Sequence, residues 1–262
     1  MEFRIHDYDE LTSTNDELKR FASQNAPEGT VIYTRVQTAG RGRLGRSWAG
    51  EPGACLMFSL LLRPVFPGSL TQNNVDIAPY KPMPLAEAAA WSLAAGLGVC
   101  RAIRRVADVD AMVKWPNDVV ADGRKLCGIL TEHVAGDCLI TGIGVNVNQI
   151  AFPEEISGKA TSLRMLAGRE IDSDILFRAI LKELDDLYAA FAQSGFAPLA
   201  PTYNALCVNT NAPVLIHKPN GSISGTARGA DAAGHLMVNT DDGLIRLPAG
   251  EVSVRLADGR YA

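Results

Sequence analysis

Three clusters in this 262-residue sequence combine side chains that can do chemistry. The first is Gln37-Thr38-Ala39-Gly40-Arg41-Gly42-Arg43-Leu44-Gly45-Arg46-Ser47-Trp48, with arginines interleaved among glycines and a tryptophan at its end. Glycines let backbone N–H groups approach a ligand, and guanidinium groups offer several fixed donors to carboxylate or phosphate oxygens. Trp48 adds an aromatic face that can pack on a purine or on an arginine. The composition therefore points to an anion-binding loop; the plainer reading is a solvated basic turn. Gly40, Gly42 and Gly45 also satisfy GxGxxG, but Gly50, Pro52 and Gly53 stand where the helix of a dinucleotide fold should begin, which excludes that fold. No GxxxxGK[ST] phosphate loop occurs in the sequence.

The second cluster is Lys114-Trp115-Pro116-Asn117-Asp118, followed by Gly123-Arg124-Lys125-Leu126-Cys127-Gly128. Asp122-Gly123 is a strong hairpin signal, and across such a turn Asp118 and Lys125 can meet in one cleft, or form an ordinary surface ion pair. The third is Gly142-Ile143-Gly144-Val145-Asn146-Val147-Asn148, an apolar run thinned by glycine. Asn146 can read an adenine or ribose edge, or equally bond nearby backbone.

The elements that must position these groups are partly visible. Ser13 to Asn15, with Asp16 and Glu17 behind, predict a helix start whose side chains cap free N–H groups, ending around Ser23 to Pro27. Strands are expected at 31–36 and 54–62, leaving 38–53 as a long basic loop of the kind compact domains keep for function. Leu85 to Cys100 reads as an Ala-rich core helix: it carries Glu87 and falls short of the roughly 20 apolar residues needed to span a bilayer. Pro67 to Pro84 reads as an exposed excursion with no assigned role. Strands at 126–132 and 138–147, joined across Ala135-Gly136-Asp137, complete an antiparallel meander. Leu176, Ile180, Leu184, Leu187, Tyr188 and Phe191 recur at helical spacing between Ser173 and Ser194, with Gly195 as the stop. Beyond Pro201, short apolar runs near Val214, Ile223, Leu236, Leu244 and Val252, broken by turns such as Asn220-Gly221 and Asp242-Gly243, predict a small β-barrel-like module.

Composition bounds the function. With 25 Lys and Arg against 29 Asp and Glu, the chain has no broad attraction to nucleic acid or anionic lipid, so any basic site is local. Five cysteines with no CxxC pair argue against a disulfide framework or zinc cluster, and the four histidines are scattered, so no metal site is expected from them. The N-terminus shows no basic-then-apolar signal segment, and a cytoplasmic protein is expected.

Taken together, Ser13-Thr14-Asn15, the arginine loop, Lys114 to Asp118, Gly123 to Gly128 and Gly144-Val145-Asn146-Val147 closely resemble the biotin protein ligases, in order and in spacing. The resemblance implies an α+β fold: a mixed, largely antiparallel sheet with helices, of the class II aminoacyl-tRNA synthetase-like biotin/lipoyl ligase kind, over residues 1–205. A small SH3-like β-barrel would follow over 206–262. It further implies ATP-dependent formation of biotinyl-5′-AMP and transfer of biotin to a lysine of a biotin carboxyl carrier protein. Ser13, Thr14, Gln37, Arg41 and Gly128 would lie around biotin, and Asn15, Gly40, Gly42 and Asp118 would also belong to the cofactor-binding set. Arg43, Arg46, Lys114 and Lys125 would surround its carboxylate and the α-phosphate, with Trp48 and Asn146 on the nucleotide side. Arg43 and Lys125 are the leading catalytic candidates, and Asp118 is a candidate base or orienting group for the acceptor lysine. Mg²⁺ would come with ATP, without a dedicated protein cage. The motifs begin within the first fifteen residues, so no DNA-binding domain and no DNA partner are expected; the protein would be a monomer or homodimer, away from membranes. The alternatives are a lipoate protein ligase, which shares the fold but not the arginine loop, and a non-catalytic module that binds biotin, nucleotide or RNA phosphates.

Overall fold

The computed structural model describes residues 1–48, 50–67, 80–82, 85–134, 138–218, 221–248, 253–257 and 261. In chain order the elements are β1 (Arg4–Leu11), α1 (Thr14–Ser23), β2 (Thr30–Gln37), β3 (Cys55–Leu62), β4 (Val65–Pro67), β5 (Tyr80–Pro82), α2 (Leu85–Ala107), β6 (Met112–Lys114), β7 (Asp118–Ala121), β8 (Arg124–Val134) and β9 (Cys138–Asn146). They continue with α3 (Glu154–Ser157), α4 (Leu163–Ala167), α5 (Ser173–Ser194), α6 (Ala200–Ala205), β10 (Pro213–Lys218), β11 (Gly221–Ala230), β12 (Leu236–Thr240), β13 (Gly243–Leu247) and β14 (Ser253–Leu256). The connection 135–137, Asn220, Val252 and most of the Pro67–Pro84 excursion lie outside the described residues.

A seven-stranded sheet in the order β1-β2-β3-β9-β8-β7-β6 forms the centre. Only β1 and β2 run parallel in it; the other neighbours are antiparallel, as the expected fold class requires. β3 shows how its two faces are divided. All eight of its side chains are buried, and because successive side chains alternate, Leu56, Phe58, Leu60 and Leu62 enter the main core while Leu61 packs with Leu18, Ile32 and Ile140 under α1. Met57 and Ser59 share the Leu61 face and so meet the functional groups described below.

α2 and α5 cover the core face. Trp91 of α2 packs edge-on against Tyr188 and Phe191 of α5 at centroid distances of 5.4 and 5.3 Å, and its indole N–H donates to Thr141 Oγ1 of the sheet at 3.0 Å. Gly98 lets the two helices close in: a Cβ there would stand 3.2 Å from Leu187. α2 runs seven residues past the expected Cys100. Arg104 and Arg105 continue it by pairing with Asp110 and with Glu183, the latter at 2.7 Å. α5 occupies the expected span, with Asp172 accepting from the N–H groups of Asp174 and Ile175 and Gly195 in positive φ at its end.

Two expectations are corrected. β1 was not foreseen, because as an exposed edge strand it shows no apolar alternation. Ser13 is the N-cap of α1, but neither it nor its neighbours cap the helix through a side chain; the Thr14 N–H instead donates to Gln37 Oε1 at 2.8 Å. The C-terminal module is a five-stranded antiparallel sheet in the order β13-β12-β11-β10-β14. Among the described residues no pairing between β13 and β14 closes it into a barrel. Its buried Val214, Ile216, Leu236, Val238 and Val254 belong to the same core cluster as the large sheet.

Candidate functional site

A cavity of about 970 Å³, open to solvent, lies on the α1 face of the large sheet. Its floor is made of glycine. A Cβ on Gly142 would collide with the amide of Asn15, one on Gly144 would stand 2.5 Å from the Trp48 indole, and one on Gly128 would lie 3.0 Å from Trp48 and 3.1 Å from Lys125 Nζ. These three strand glycines make room for functional side chains to lie directly on the sheet.

At the α1 end Thr14, Asn15, Gln37 and Ser59 form a neutral network, backed by an ion-paired cluster. Gln37 Oε1 accepts from the Thr14 N–H and from Thr14 Oγ1 at 3.2 Å. The Ser59 hydroxyl lies 2.7 Å from Thr14 Oγ1 and 2.6 Å from Asn15 Oδ1, and Asn15 Nδ2 donates to Glu132 Oε2 at 2.7 Å. Glu132 also takes Lys19 at 2.8 Å and Arg41 at 3.4 Å, while Arg41 pairs with Asp16. Burial opposes ionisation of Glu132, but the hydrogen bonds from Lys19 and Asn15 and the charges of Lys19 and Arg41 outweigh it and lower its pKa.

The arginine loop folds over this end. Its backbone closes on itself through Gly42 N–H to Arg46 O at 2.7 Å and Trp48 N–H to Gly40 O at 2.9 Å. Gly40 is buried and a Cβ there would meet the Trp48 carbonyl at 2.5 Å, so it shapes the loop and is not itself part of the cavity lining. Gly42, Arg43 and Arg46 line the cavity; Arg43 donates to Asn117 Oδ1 at 3.1 Å, and burial lowers the pKa of its guanidinium while the Asp118 charge opposes that shift. Trp48 lies with Lys125 Nζ 5.8 Å from its ring centre, and its buried indole N–H has no hydrogen-bond partner among the described residues.

The opposite end is charged. Asp122 and Gly123 both adopt positive φ in the predicted turn, and across it Lys125 reaches Asp118 at 2.5 Å. Burial works against the Asp118 carboxylate, yet the charges of Lys125 and Lys114 with hydrogen bonds from Lys125 and Tyr261 hold its pKa below the usual range. Burial likewise disfavours the Lys125 ammonium, and Asp118 reverses this and raises its pKa. Lys114, only 4% exposed, is pushed down to about 8, chiefly by burial, with Asp118 opposing.

Of the sequence-predicted residues, Ser13, Thr14, Asn15, Gln37, Arg41, Gly42, Arg43, Arg46, Trp48, Lys114, Asp118, Lys125 and Gly128 line one cavity. Asn146 does not: it is buried, with its amide donating to the Thr161 carbonyl at 3.1 Å. Sequence reasoning missed Ser59 and Glu132, which only sheet register brings to Asn15, and also Arg255 and Tyr261 of the C-terminal module. Among the described residues no group of three or more His, Cys, Asp or Glu side chains could hold a metal.

A model of the Biotin/lipoate A/B protein ligase family matches residues 8–148, and one of the Biotin protein ligase C terminal domain matches residues 211–255. The chain is 33% identical over 253 residues to the Bifunctional ligase/repressor BirA of Bacillus subtilis, covering 94% of this chain and 73% of that protein. It is 35% identical over 246 residues to the biotin–[acetyl-CoA-carboxylase] ligase of Mycobacterium tuberculosis, covering 92% and 85%. Among solved structures, the biotin protein ligase of Aquifex aeolicus in complex with biotin and ATP is 30% identical, with a TM-score of 0.81 over 97% of this chain and 99% of that one.

Proposed function

We infer that this chain, which belongs to the Biotin/lipoate A/B protein ligase family, is an ATP-dependent biotin protein ligase. It joins biotin to AMP and then passes the biotin to a lysine of a carboxyl carrier protein. The observation that carries the reading is that one cavity holds a neutral hydrogen-bonding end and a cationic end side by side. A ureido ring presents one acceptor and two donors, which suits Thr14, Asn15 and Gln37. A carboxylate meeting a phosphate suits Arg43, Arg46, Lys114 and Lys125.

The chemistry needs both ends. Carboxylate and α-phosphate repel, and fixed cations in a site partly shielded from water offset that repulsion as charge develops on the phosphorus oxygens. Lys125 is held for this by Asp118, and Arg43 by Asn117. Trp48 supplies the apolar face for the adenine. Among the described residues Asp118 is the one carboxylate in the lining, and it is already paired with Lys125, so Mg²⁺ would be held by the ATP phosphates and water and not by a protein cage. In the second step a neutral lysine amine attacks the mixed anhydride and AMP leaves. Asp118 orients that lysine; it is ionised at neutral pH but too weak a base, beside two lysines, to remove the proton by itself.

Residues 1–205 form the catalytic domain and 206–262 a smaller β domain whose Arg255 and Tyr261 complete the cavity wall. Among the described residues no helix is long and apolar enough to cross a membrane, and use of cellular ATP suits a cytoplasmic enzyme. The test is biotin-dependent exchange of pyrophosphate into ATP, followed by the mass of a carrier domain after incubation with biotin, ATP and magnesium. Exchange supported by lipoate and not by biotin would transfer the chain to the lipoate branch, and exchange with neither would leave a binding protein.

A further inference from the structure

Lys114 and Asp118 are direct cross-strand partners in the hairpin between β6 and β7. Side chains so placed are near neighbours, and an ammonium opposite a carboxylate there ordinarily pairs with it. Here they do not pair. Asp118 Oδ1 is taken by Lys125 at 2.5 Å, and Lys114 Nζ donates to the Val254 carbonyl at 3.1 Å. The difference is made by Tyr261, near the end of the chain. Its hydroxyl donates to Asp118 Oδ2, and its ring lies 4.5 Å from Lys114 Nζ and 4.6 Å from Arg255 Cζ. With Arg255 it also lines both the main cavity and a second one of about 590 Å³ beside Lys159 and His217. The match to the C-terminal domain stops at residue 255, so Tyr261 lies beyond the part shared with that domain model.

We propose that Tyr261 is a positioning residue for adenylation: by occupying Asp118 Oδ2 it commits that carboxylate to Lys125 and leaves the Lys114 ammonium without a carboxylate partner among the described residues, available to a phosphate of ATP. The inference rests on the adenylating function proposed above. Its physical basis is the cost of an unsatisfied oxygen. Burial, reinforced by the Asp118 charge, pushes the phenol up to about 12, so it remains a neutral donor at working pH. Without that donor, Oδ2 would be a buried carboxylate oxygen lacking a partner, with Lys114 on the adjacent strand the nearest means of satisfying it. Lys114 would then turn from phosphate to carboxylate, and the site would lose one of its phosphate cations without losing a residue.

This gives a signature that a merely structural tyrosine would not produce. The Lys114 ammonium is weakened first by burial and further by Arg255 and Lys125, while Asp118 and Cys207 favour it. Pairing with Asp118 strengthens it. The test uses the full-length protein and Tyr261→Phe, which keeps the ring over the two cations and removes only the hydroxyl. Expected are a KM for ATP raised about ten-fold at neutral pH, the loss of one charge-assisted contact, and an unchanged KM for biotin. In addition, the alkaline limb of the exchange rate should move to higher pH, and lysine ¹³Cε NMR should show the Lys114 titration moving the same way. A wild-type KM for ATP with an unshifted Lys114 titration would overturn the proposal, as would a lowered KM, which would mark Tyr261 as an obstacle to the nucleotide. A wild-type protein without any exchange activity would instead defeat the adenylating reading, and the NMR titration would still report on the division of charge.

Discussion

At the α1 end of the cavity Thr14, Asn15, Gln37 and Ser59 satisfy one another through short neutral hydrogen bonds, whereas at the β6–β8 end the buried Asp118 and Lys114 and the partly exposed Lys125 set charge against charge. The two ends rest on the same glycine floor. Their difference is in what a ligand must replace. A uncharged ligand at the α1 end exchanges one set of neutral hydrogen bonds for another, which rewards shape and donor pattern and gives selectivity. At the charged end the cations are held in place before the phosphate arrives, so stabilisation grows as negative charge develops and acts on rate.

Substitutions can break that division. The largest effect is expected for Lys125→Met, which should lower the rate of biotin-dependent ATP–pyrophosphate exchange by about a hundred- to a thousand-fold, with the KM for biotin nearly unchanged. Since Asp118 then loses its ion-pair partner, thermal melting serves as a control: adding Asp118→Asn should restore stability and not the rate. Asp118→Asn alone should slow transfer to the carrier domain more than it slows adenylate formation, measured by single-turnover transfer from preformed adenylate. Normal rates in both steps would remove Asp118 from the transfer chemistry. At the neutral end, Thr14→Val should raise the KM for biotin about ten-fold and leave that for ATP alone, because it deletes contacts to Gln37 and Ser59. A shift in both constants would mean that the two ends are not separable.

The smallest effect sharpens the comparison through pH. The folded-state pKa of Lys114, about 8, lies below its ordinary value of 10.5. The unfolded chain therefore holds the extra proton across that window, and stability should rise with pH from about 8 to 10.5, by about 3 kcal/mol in the limit of full burial. Melting of wild type against Lys114→Met over this range isolates the term, and parallel curves would place Lys114 in a wetter environment than its 4% exposure indicates.

Most of the site was legible because its residues lie in short runs with unusual pairings of glycine and charge. Asp122-Gly123 announced the hairpin, and the hairpin announced the meeting of Asp118 with Lys125. What was not legible depends on distance along the chain. Tyr261 reaches Asp118 from 143 residues away, and nothing local marks a tyrosine near the end of the chain as part of a cavity. Asn146 failed for the opposite reason: its type suits ligand recognition, but a buried asparagine satisfied by backbone looks the same in sequence. β1 escaped because six of its eight residues are exposed, which erases the alternation that betrays a strand. The caps of α1 were misassigned because the polar side chains that ordinarily seal a helix start are here turned to the cavity.

The alternation of β3 has a practical corollary. Its even-numbered side chains enter the main core, whereas on the other side Met57 reaches Gln37 and Ser59 reaches Thr14 and Asn15. Robustness and selectivity are thus written on opposite sides of a single ribbon, so the protein can be toughened at Leu56, Phe58, Leu60 and Leu62 and retuned at Met57 and Ser59 as two independent engineering problems.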